Sequence, residues 1–292
     1  MTVHSSTRVR AGRLASHALV VAIALAIAVP VAWVLLASVK DKSEFYGSPW
    51  TLPDGLHLQN FVDAFVHAHM GAYFLTSVFV TALALVFVLA VSVPAAYVIA
   101  RFDFRGKRIV ETALLAGLFV NVNYIVVPIF LMLVGWDRAL RELMPSGFFI
   151  DNPVVLSLVY AATSIPFTVY LLTAYFRSIP SDYEEAAALD GASRLTTMTR
   201  VMLPMARPAV TVVILFNFLA YWNDFIISLT LMPGDGKTLQ VGLLNLFTAQ
   251  KAAADYGRLY AGMVIVIVPV LLVYAFIQRR LIEGMAAGGV KG

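Results

Sequence analysis

Long apolar runs separated by short polar segments dominate the chain. A membrane helix needs roughly 20 mainly apolar residues to cross about 30 Å of hydrocarbon. Six runs meet this length and predict transmembrane helices at about 18–39, 72–100, 112–134, 153–176, 208–232 and 259–278. The first run exceeds the ~7–15 apolar residues of a signal-peptide core, so we expect it to be retained as a helix. The pattern predicts an all-α integral membrane protein with a transmembrane domain over 18–280, preceded by 1–17 and followed by a glycine-rich tail over 281–292.

Composition supports a membrane protein and excludes several kinds of binding site and catalysis. Of the 292 residues, 60% are apolar and 13% are charged, whereas soluble proteins average about a quarter charged. The net charge of +4 comes from short basic clusters beside apolar runs, so it indicates no nucleic-acid partner. The absence of cysteine excludes disulfides, zinc–thiolate sites and thiol catalysis.

The distribution of basic residues predicts the orientation. If the N-terminus is inside, the inner segments hold 14 of the 21 lysines and arginines and the outer segments hold 7. Lysine and arginine concentrate in short cytoplasmic loops, and the loop RFDFRGKR at 101–108 carries four of them. Both termini are therefore expected in the cytoplasm, as is the segment 177–207 between the fourth and fifth predicted helices.

The densest acidic segment of the chain, PSDYEEAAALDG at 180–191, lies in that segment. A carboxylate at the bilayer centre costs ~2.5–3.5 kcal/mol, so this stretch must lie in water. Ser181 and Glu184 fit an S-x-x-E capping box at a helix start, and Gly191 suits a left-handed helix end. Ser193 is expected to cap a second helix that runs to about Met202. The segment 177–207 is thus predicted as two short helices joined by a turn.

Two interpretations of this loop remain open on physical grounds. It can be a solvated connection between two transmembrane helices. It can also be a docking helix whose three alanines fit a groove on a cytoplasmic partner while the acids make polar contacts at the rim.

A resemblance to a known family bears on this choice. The stretch EAAALDGA at 185–192, with Leu203-Pro204 and Pro208 after it, resembles the EAA loop of binding-protein-dependent ABC importer permeases. The stretches RSIP at 177–180, WNDF at 222–225 and AGGVKG at 287–292 are similar to the carbohydrate branch, in particular to the smaller maltose-type permease subunit. The chain departs from the pattern at Asp224, where the family often has glutamate, and at Met198, where it often has an aromatic residue.

The resemblance implies a multi-pass subunit of the bacterial inner membrane that translocates a sugar, delivered by an extracytoplasmic solute-binding protein. The implied partners are a second permease subunit, completing a heterodimeric pore, two ABC ATPase subunits and membrane lipid. No catalytic residue, metal or cofactor is expected in this chain, because ATP and Mg belong to the ATPase subunits. The implied coupling residues are Glu184, Glu185, Ala186, Ala187, Leu189, Asp190, Gly191, Leu203 and Pro204. Among these, Glu185 is expected as the polar contact, and Ala186, Ala187 and Leu189 as the apolar insertion.

Polar residues inside the predicted helices are candidates for a substrate pathway. Asp224 is the only ionisable side chain within a predicted helix, and such residues usually face a cavity or a partner. The candidate set is Asn121, Asn123, Tyr124, Asn217, Tyr221, Trp222, Asn223 and Asp224. The alternative is that these groups form hydrogen bonds between helices.

Other functions require sequence features that can be checked against this chain. A permease for a non-sugar solute would share the loop, whereas an ion-coupled secondary transporter should have ionisable residues in several helices and internal symmetry. A membrane-embedded enzyme would need a convergent catalytic set, which the sequence lacks. The segment Gly236–Thr238 lacks the earlier glycine of a phosphate-binding loop. His67 and His69 near Asp63 are a weak metal signal, and a solvated loop is the expected alternative.

Overall fold

The computed structural model describes the backbone of residues 4–288 except 47, 49, 144, 146 and 254. Side chains are described for residues 16–278 apart from those positions and 250–253. No strand occurs in the part of the chain so described. The main helices are α1 (His4–Ala37), α2 (Met70–Arg101), α3 (Lys107–Leu118), α4 (Val122–Ala139), α5 (Pro153–Ser178), α6 (Asp182–Leu189), α7 (Arg194–Met205), α8 (Arg207–Trp222), α9 (Ile226–Leu231), α10 (Leu239–Ala253) and α11 (Tyr256–Gly288).

Five helical segments in the described residues are long and apolar enough to cross a membrane. They are Ser16–Ala37, Met70–Arg101, Val122–Ala139, Pro153–Ser178 and Tyr256–Gln278. The pair α7 and α8, bent by 75° where they meet, makes a sixth if it is counted as one broken span. The all-α membrane fold with up to six spans is therefore confirmed.

The third predicted helix, 112–134, is wrong as a single element. Helix α3 ends at Leu118, and α4 begins after Asn121. Asn121 is extended, and its side-chain oxygen accepts a hydrogen bond from the Asn123 amide at 3.0 Å. An asparagine side chain competes in this way for backbone amides, so it favours a helix start over a helix interior.

The fifth predicted helix, 208–232, is also interrupted. Helix α8 ends at Trp222, and the Asp224 carboxylate accepts from the amides of Ile227 and Ser228, at 3.5 and 3.0 Å, at the start of α9. As at Asn121, a short polar side chain bonds to local backbone amides and begins a new helix inside an apolar run.

Helix α11 extends beyond the predicted limit of 278. It continues to Gly288, through most of the segment predicted as a glycine-rich tail. The last part of that tail, 289–292, and residues 1–3 of the N-terminal segment lie outside the described residues.

The chain divides into two compact units. One comprises residues 1–70 with 243–267, and the other comprises 71–242 with 268–292. In the first unit, the Asn60 side chain donates to the carbonyl oxygens of Ser38 and Lys40 at 3.0 and 2.8 Å. Gly257 lies so close to Asn60 that a Cβ at position 257 would come within 2.6 Å of the side-chain amide nitrogen of Asn60. These contacts hold the segment after α1 against the start of α11.

The second unit has two buried apolar clusters. One joins the last turns of α2 and α5 to the loop helix α7 and includes Phe176, Leu172 and Met202, all fully buried. The other joins α2, α4, α5 and α9 around Tyr160 and Leu156. The loop between α5 and α8 packs into the first cluster through Met202.

Candidate functional site

The loop between α5 and α8 consists of two helices and a tight glycine turn. Helix α6 ends at Leu189 with Asp190 as its C-cap, and Gly191 takes the left-handed conformation with φ +78°. The Gly191 amide donates to the Ala188 carbonyl at 3.0 Å, and the Ala192 amide donates to the Ala187 carbonyl at 2.9 Å. This pair of bonds is a Schellman motif, which requires a positive φ at the residue after the helix. The expected left-handed conformation at Gly191 is confirmed.

The cap of the second loop helix is confirmed, and the capping box of the first is wrong. The Ser193 hydroxyl accepts from the Thr196 amide at 3.2 Å at the start of α7. Ser181 is helical in backbone conformation, and its side chain makes no capping hydrogen bond. The Glu184 carboxylate instead accepts a hydrogen bond from the Tyr97 hydroxyl and forms an ion pair with Arg101, both on α2.

Glu184 joins the loop to the last turn of α2. The Tyr97 hydroxyl donates to Glu184 Oε1 at 2.7 Å, and Arg101 Nε lies 2.8 Å from Glu184 Oε2. Arg101 Nη2 also donates to the Ile179 carbonyl at 2.6 Å, where α5 ends. The Arg194 guanidinium lies 5.0 Å from the centre of the Phe102 ring, within the range of a cation–π contact.

Burial separates the predicted coupling residues into two faces. Glu185, Ala186, Leu189, Asp190 and Gly191 are exposed, and 90% of the Leu189 side chain is accessible.

The other four coupling residues face inward. Ala187 is buried, and Glu184, Leu203 and Pro204 are half-buried. Leu203 packs against the buried cluster that includes Met202. Ala187 therefore offers little accessible surface in this chain, and its part in the apolar insertion stays a prediction.

An open groove of about 320 Å³ lies between the loop and the end of α2. Its lining residues are Tyr97, Arg101, Phe102, Ser181, Glu184, Glu185, Ala188, Ala192, Arg194 and Thr197. Sequence reasoning missed Tyr97, Arg101 and Arg194. The available signal was the pair Tyr97 and Arg101, which are one helical turn apart at the end of an apolar run and so lie on one face.

Five of the pathway candidates are near the break between α8 and α9. Most of them contact other residues of this chain. The Tyr160 hydroxyl donates to Asp224 at 2.7 Å, and the Tyr160 ring stacks on Tyr221 at 5.2 Å between centroids. Asn217 is buried and donates to Thr168 Oγ1 at 3.0 Å. These contacts match hydrogen bonding between helices, the alternative that the sequence left open.

The remaining members of that set differ in exposure. Trp222 is buried, and Asn223 is exposed. Asn121, Asn123 and Tyr124 are exposed beside the break between α3 and α4, with 82% of Tyr124 accessible. This exposed set stays a prediction for the substrate pathway.

The residues considered for a metal site and for a phosphate-binding loop make contacts within this chain. His67 Nδ1 lies 3.1 Å from Asp63 Oδ1, and Arg258 Nη2 lies 3.1 Å from Asp63 Oδ2. Within the described residues, no group of three side chains is arranged to hold a metal ion. Lys237 donates to the Gly234 carbonyl at 2.7 Å.

The class of protein follows from comparison with known sequences. The sequence profile of the family "Binding-protein-dependent transport system inner membrane component" matches residues 92–286. The chain belongs to this family, and it is a multi-pass, non-catalytic inner-membrane component of a transport system. Family membership excludes the ion-coupled transporter and the membrane enzyme weighed above.

Individual relatives agree with this class. The diacetylchitobiose uptake system permease protein NgcG of Streptomyces coelicolor is 39% identical over 94% of this chain and 87% of its own length. The multiple sugar-binding transport system permease protein MsmG of Streptococcus mutans is 29% identical over 91% and 92%. The fold is similar to a chain of a bacterial ABC transporter for the acidic polysaccharide alginate, with TM-score 0.75, 21% identity and coverage of 92% and 96%.

Proposed function

We propose that this chain is a permease subunit of an ATP-driven importer that carries a sugar, a mono- or oligosaccharide. The relatives named for diacetylchitobiose and for multiple sugars support the sugar class. The family description supports an extracytoplasmic binding protein that delivers the substrate. A second permease subunit completes the pore, and two ABC ATPase subunits hold the ATP and Mg, so this chain binds no cofactor of its own.

The exposed face of α6 is the proposed docking surface for an ATPase subunit. The basic residues of the inner segments favour its cytoplasmic location. Leu189 carries the proposal, because its side chain is 90% accessible on a helix that also carries the exposed acids Glu185 and, at its C-cap, Asp190, which keep this face in water. Glu185 lies beside it and supplies the polar contact at the rim, while Ala186 permits close approach of the partner.

Docking is tested by retention of the ATPase on the purified permease. Leu189→Asp should reduce ATPase retention about tenfold or more, since a buried interface anchor is worth ~2 kcal/mol or more. Leu52→Asp is the matched control, because Leu52 is 71% exposed on a segment predicted to lie on the opposite side of the membrane. Equal retention in Leu189→Asp and Leu52→Asp would show that α6 is not the docking surface.

The sugar class is tested by uptake of a panel of labelled sugars and non-sugar solutes into cells that carry the complete transporter. We expect competition only among sugars. Uptake of a peptide or an amino acid at a comparable rate would refute the sugar proposal while leaving the docking proposal intact.

A further inference from the structure

Helix α6 carries two adjacent glutamates, one facing solvent and one facing α2. Glu185 is exposed with Leu189, whereas the side chain of Glu184 is only 18% accessible and points toward α2. Successive residues of a helix are about 100° apart, so one short helix can face a partner and its own chain together. Glu184 therefore links the helix that carries the exposed face to α2.

Both carboxylate oxygens of Glu184 are held by the last turn of α2. The Tyr97 hydroxyl donates a hydrogen bond to one oxygen at 2.7 Å, and Arg101 Nε forms an ion pair with the other at 2.8 Å, without hydrogen-bond geometry. Tyr97 and Arg101 are four residues apart on α2, so they approach the carboxylate from the same helix face. A carboxylate with a hydrogen bond to one oxygen and a guanidinium beside the other, both from one helix, has a restricted position as well as a favourable charge interaction. We name Tyr97, Arg101 and Glu184 the loop clamp.

Arg101 also connects the clamp to α5. Its Nη2 donates to the carbonyl of Ile179, the residue that ends α5, while its Nε faces Glu184. The side chain of Arg101 is 14% accessible, so solvent screens these contacts less than it screens an exposed pair. One guanidinium thus links the end of α2, the end of α5 and the start of the loop.

Local helix capping does not explain the clamp. A glutamate at the position of Glu184 ordinarily bonds to the backbone amide at the start of its own helix. Here Ser181 makes no capping contact, and Glu184 bonds to residues 87 and 83 positions earlier in the chain. The contact therefore serves the attachment of α6 to α2 rather than the stability of α6 alone.

We propose that the loop clamp transmits movement of the docked loop to the transmembrane helix α2. Tyr97, Arg101 and Glu184 are positioning residues in this scheme, which rests on the proposed docking of an ATPase to α6. When ATP draws the ATPase subunits together, α6 moves with them, and the clamp makes the end of α2 move as well. Without the clamp, ATP is hydrolysed with little movement of substrate.

The test uses the complete transporter, with its partner permease, ATPases and binding protein, in proteoliposomes. Uptake per ATP hydrolysed is measured beside ATPase retention for Arg101→Gln and for the conservative Tyr97→Phe. We expect Arg101→Gln to lower uptake per ATP about tenfold and Tyr97→Phe by a smaller factor, as for coupling between two sites. Retention of the ATPase should stay unchanged in both.

Arg177→Gln is the matched control. Arg177 pairs with Glu111 at 2.5 Å between α5 and α3; its side chain is 52% accessible, and among the described residues its ion-pair partner lies on α3 rather than on the loop helix. It should keep uptake per ATP at the wild-type value. The clamp is refuted if Arg101→Gln leaves uptake per ATP unchanged, or if it releases the ATPase. Failure of wild-type permease to retain any ATPase would instead refute the docking proposal.

A chemical rescue distinguishes a loss of mechanical transmission from a folding defect. The chain has no cysteine, so Arg101→Cys with Glu184→Cys introduces its only two thiols. Bridging them with a bifunctional methanethiosulfonate should restore uptake per ATP, in a background whose partner subunits lack accessible thiols. Each single cysteine variant treated with the same reagent should stay uncoupled. A verified bridge that restores nothing would overturn the proposal, because the mechanical link would then be present without the function.

Discussion

Gly191 offers the sharpest test of how the loop geometry supports docking. It turns the chain between α6 and α7 at φ +78°, and no heavy atom lies within 4 Å of the position a Cβ would take. Substitution by alanine therefore adds no steric clash with neighbouring residues. Its cost is the left-handed backbone conformation alone, about 1–2 kcal/mol for a residue with a Cβ.

That strain should weaken ATPase binding. In the free permease, the Gly191→Ala loop relieves the strain by leaving the Schellman turn, and the docked geometry must then be restored on binding. A cost of about 1–2 kcal/mol corresponds to a loss of affinity of roughly 5- to 30-fold, since 1.4 kcal/mol is tenfold. The assay is titration of the purified ATPase onto permease in lipid nanodiscs.

Two variants control this experiment. Gly191→Asn should lose less affinity than Gly191→Ala, because asparagine tolerates the left-handed region. Gly106→Ala carries the same backbone cost, since Gly106 has φ +90° and open space around it, but Gly106 lies before α3 and outside the docking loop. Equal affinities of the alanine and asparagine variants of Gly191, or an equal loss in Gly106→Ala, would refute the reasoning.

Three further predictions address other contacts. Asp224→Asn should lower the stability of the permease by about 1.5–3 kcal/mol, as for a hydrogen bond to a charged group, and leave sugar selectivity unchanged; thermal melting and competition uptake measure the two, and altered selectivity would return Asp224 to the pathway. Gly117→Val should destabilise by about 1–3 kcal/mol through overpacking, because a Cβ there would lie 2.8 Å from Pro166 Cγ; thermal melting should show partial recovery with Pro166→Ala, and no recovery would locate the clash elsewhere. A hydrogen bond from Gln59 leads the causes that lower the pKa of Asp63 below its ordinary 3.8, so the stabilisation by its carboxylate is present above about pH 4 and is lost as the pH falls through the lowered pKa. Melting between pH 7 and pH 3 should therefore show less acid sensitivity in Asp63→Asn than in the wild type, and identical profiles would contradict this.

The sequence predicted those features that depend on local pattern. Hydropathy located the membrane helices, because burial in lipid requires long apolar runs whatever their partners are. The turn at Gly191 and the cap at Ser193 were predictable because both arise from contacts within a few residues.

The sequence could not reveal features that depend on distant partners. Glu184 fits a local capping box, and only the fold brings Tyr97, 87 residues earlier, within reach of its carboxylate. The breaks at Asn121 and Asp224 were hidden because the apolar run continues on both sides of each polar residue. The burial of Ala187 likewise depends on the tertiary packing of the loop.

The helix breaks also limit which sides of this protein can touch lipid. Non-helical backbone within a membrane leaves amide and carbonyl groups that hydrocarbon cannot satisfy, and each such group costs several kcal/mol. The segment 119–121 interrupts an otherwise apolar run, and its side chains are exposed in the isolated chain. Wherever such a segment lies at membrane depth, its carbonyl groups need another subunit or water beside them rather than lipid. Solvent accessibility in a single permease chain is for this reason no measure of contact with the bilayer.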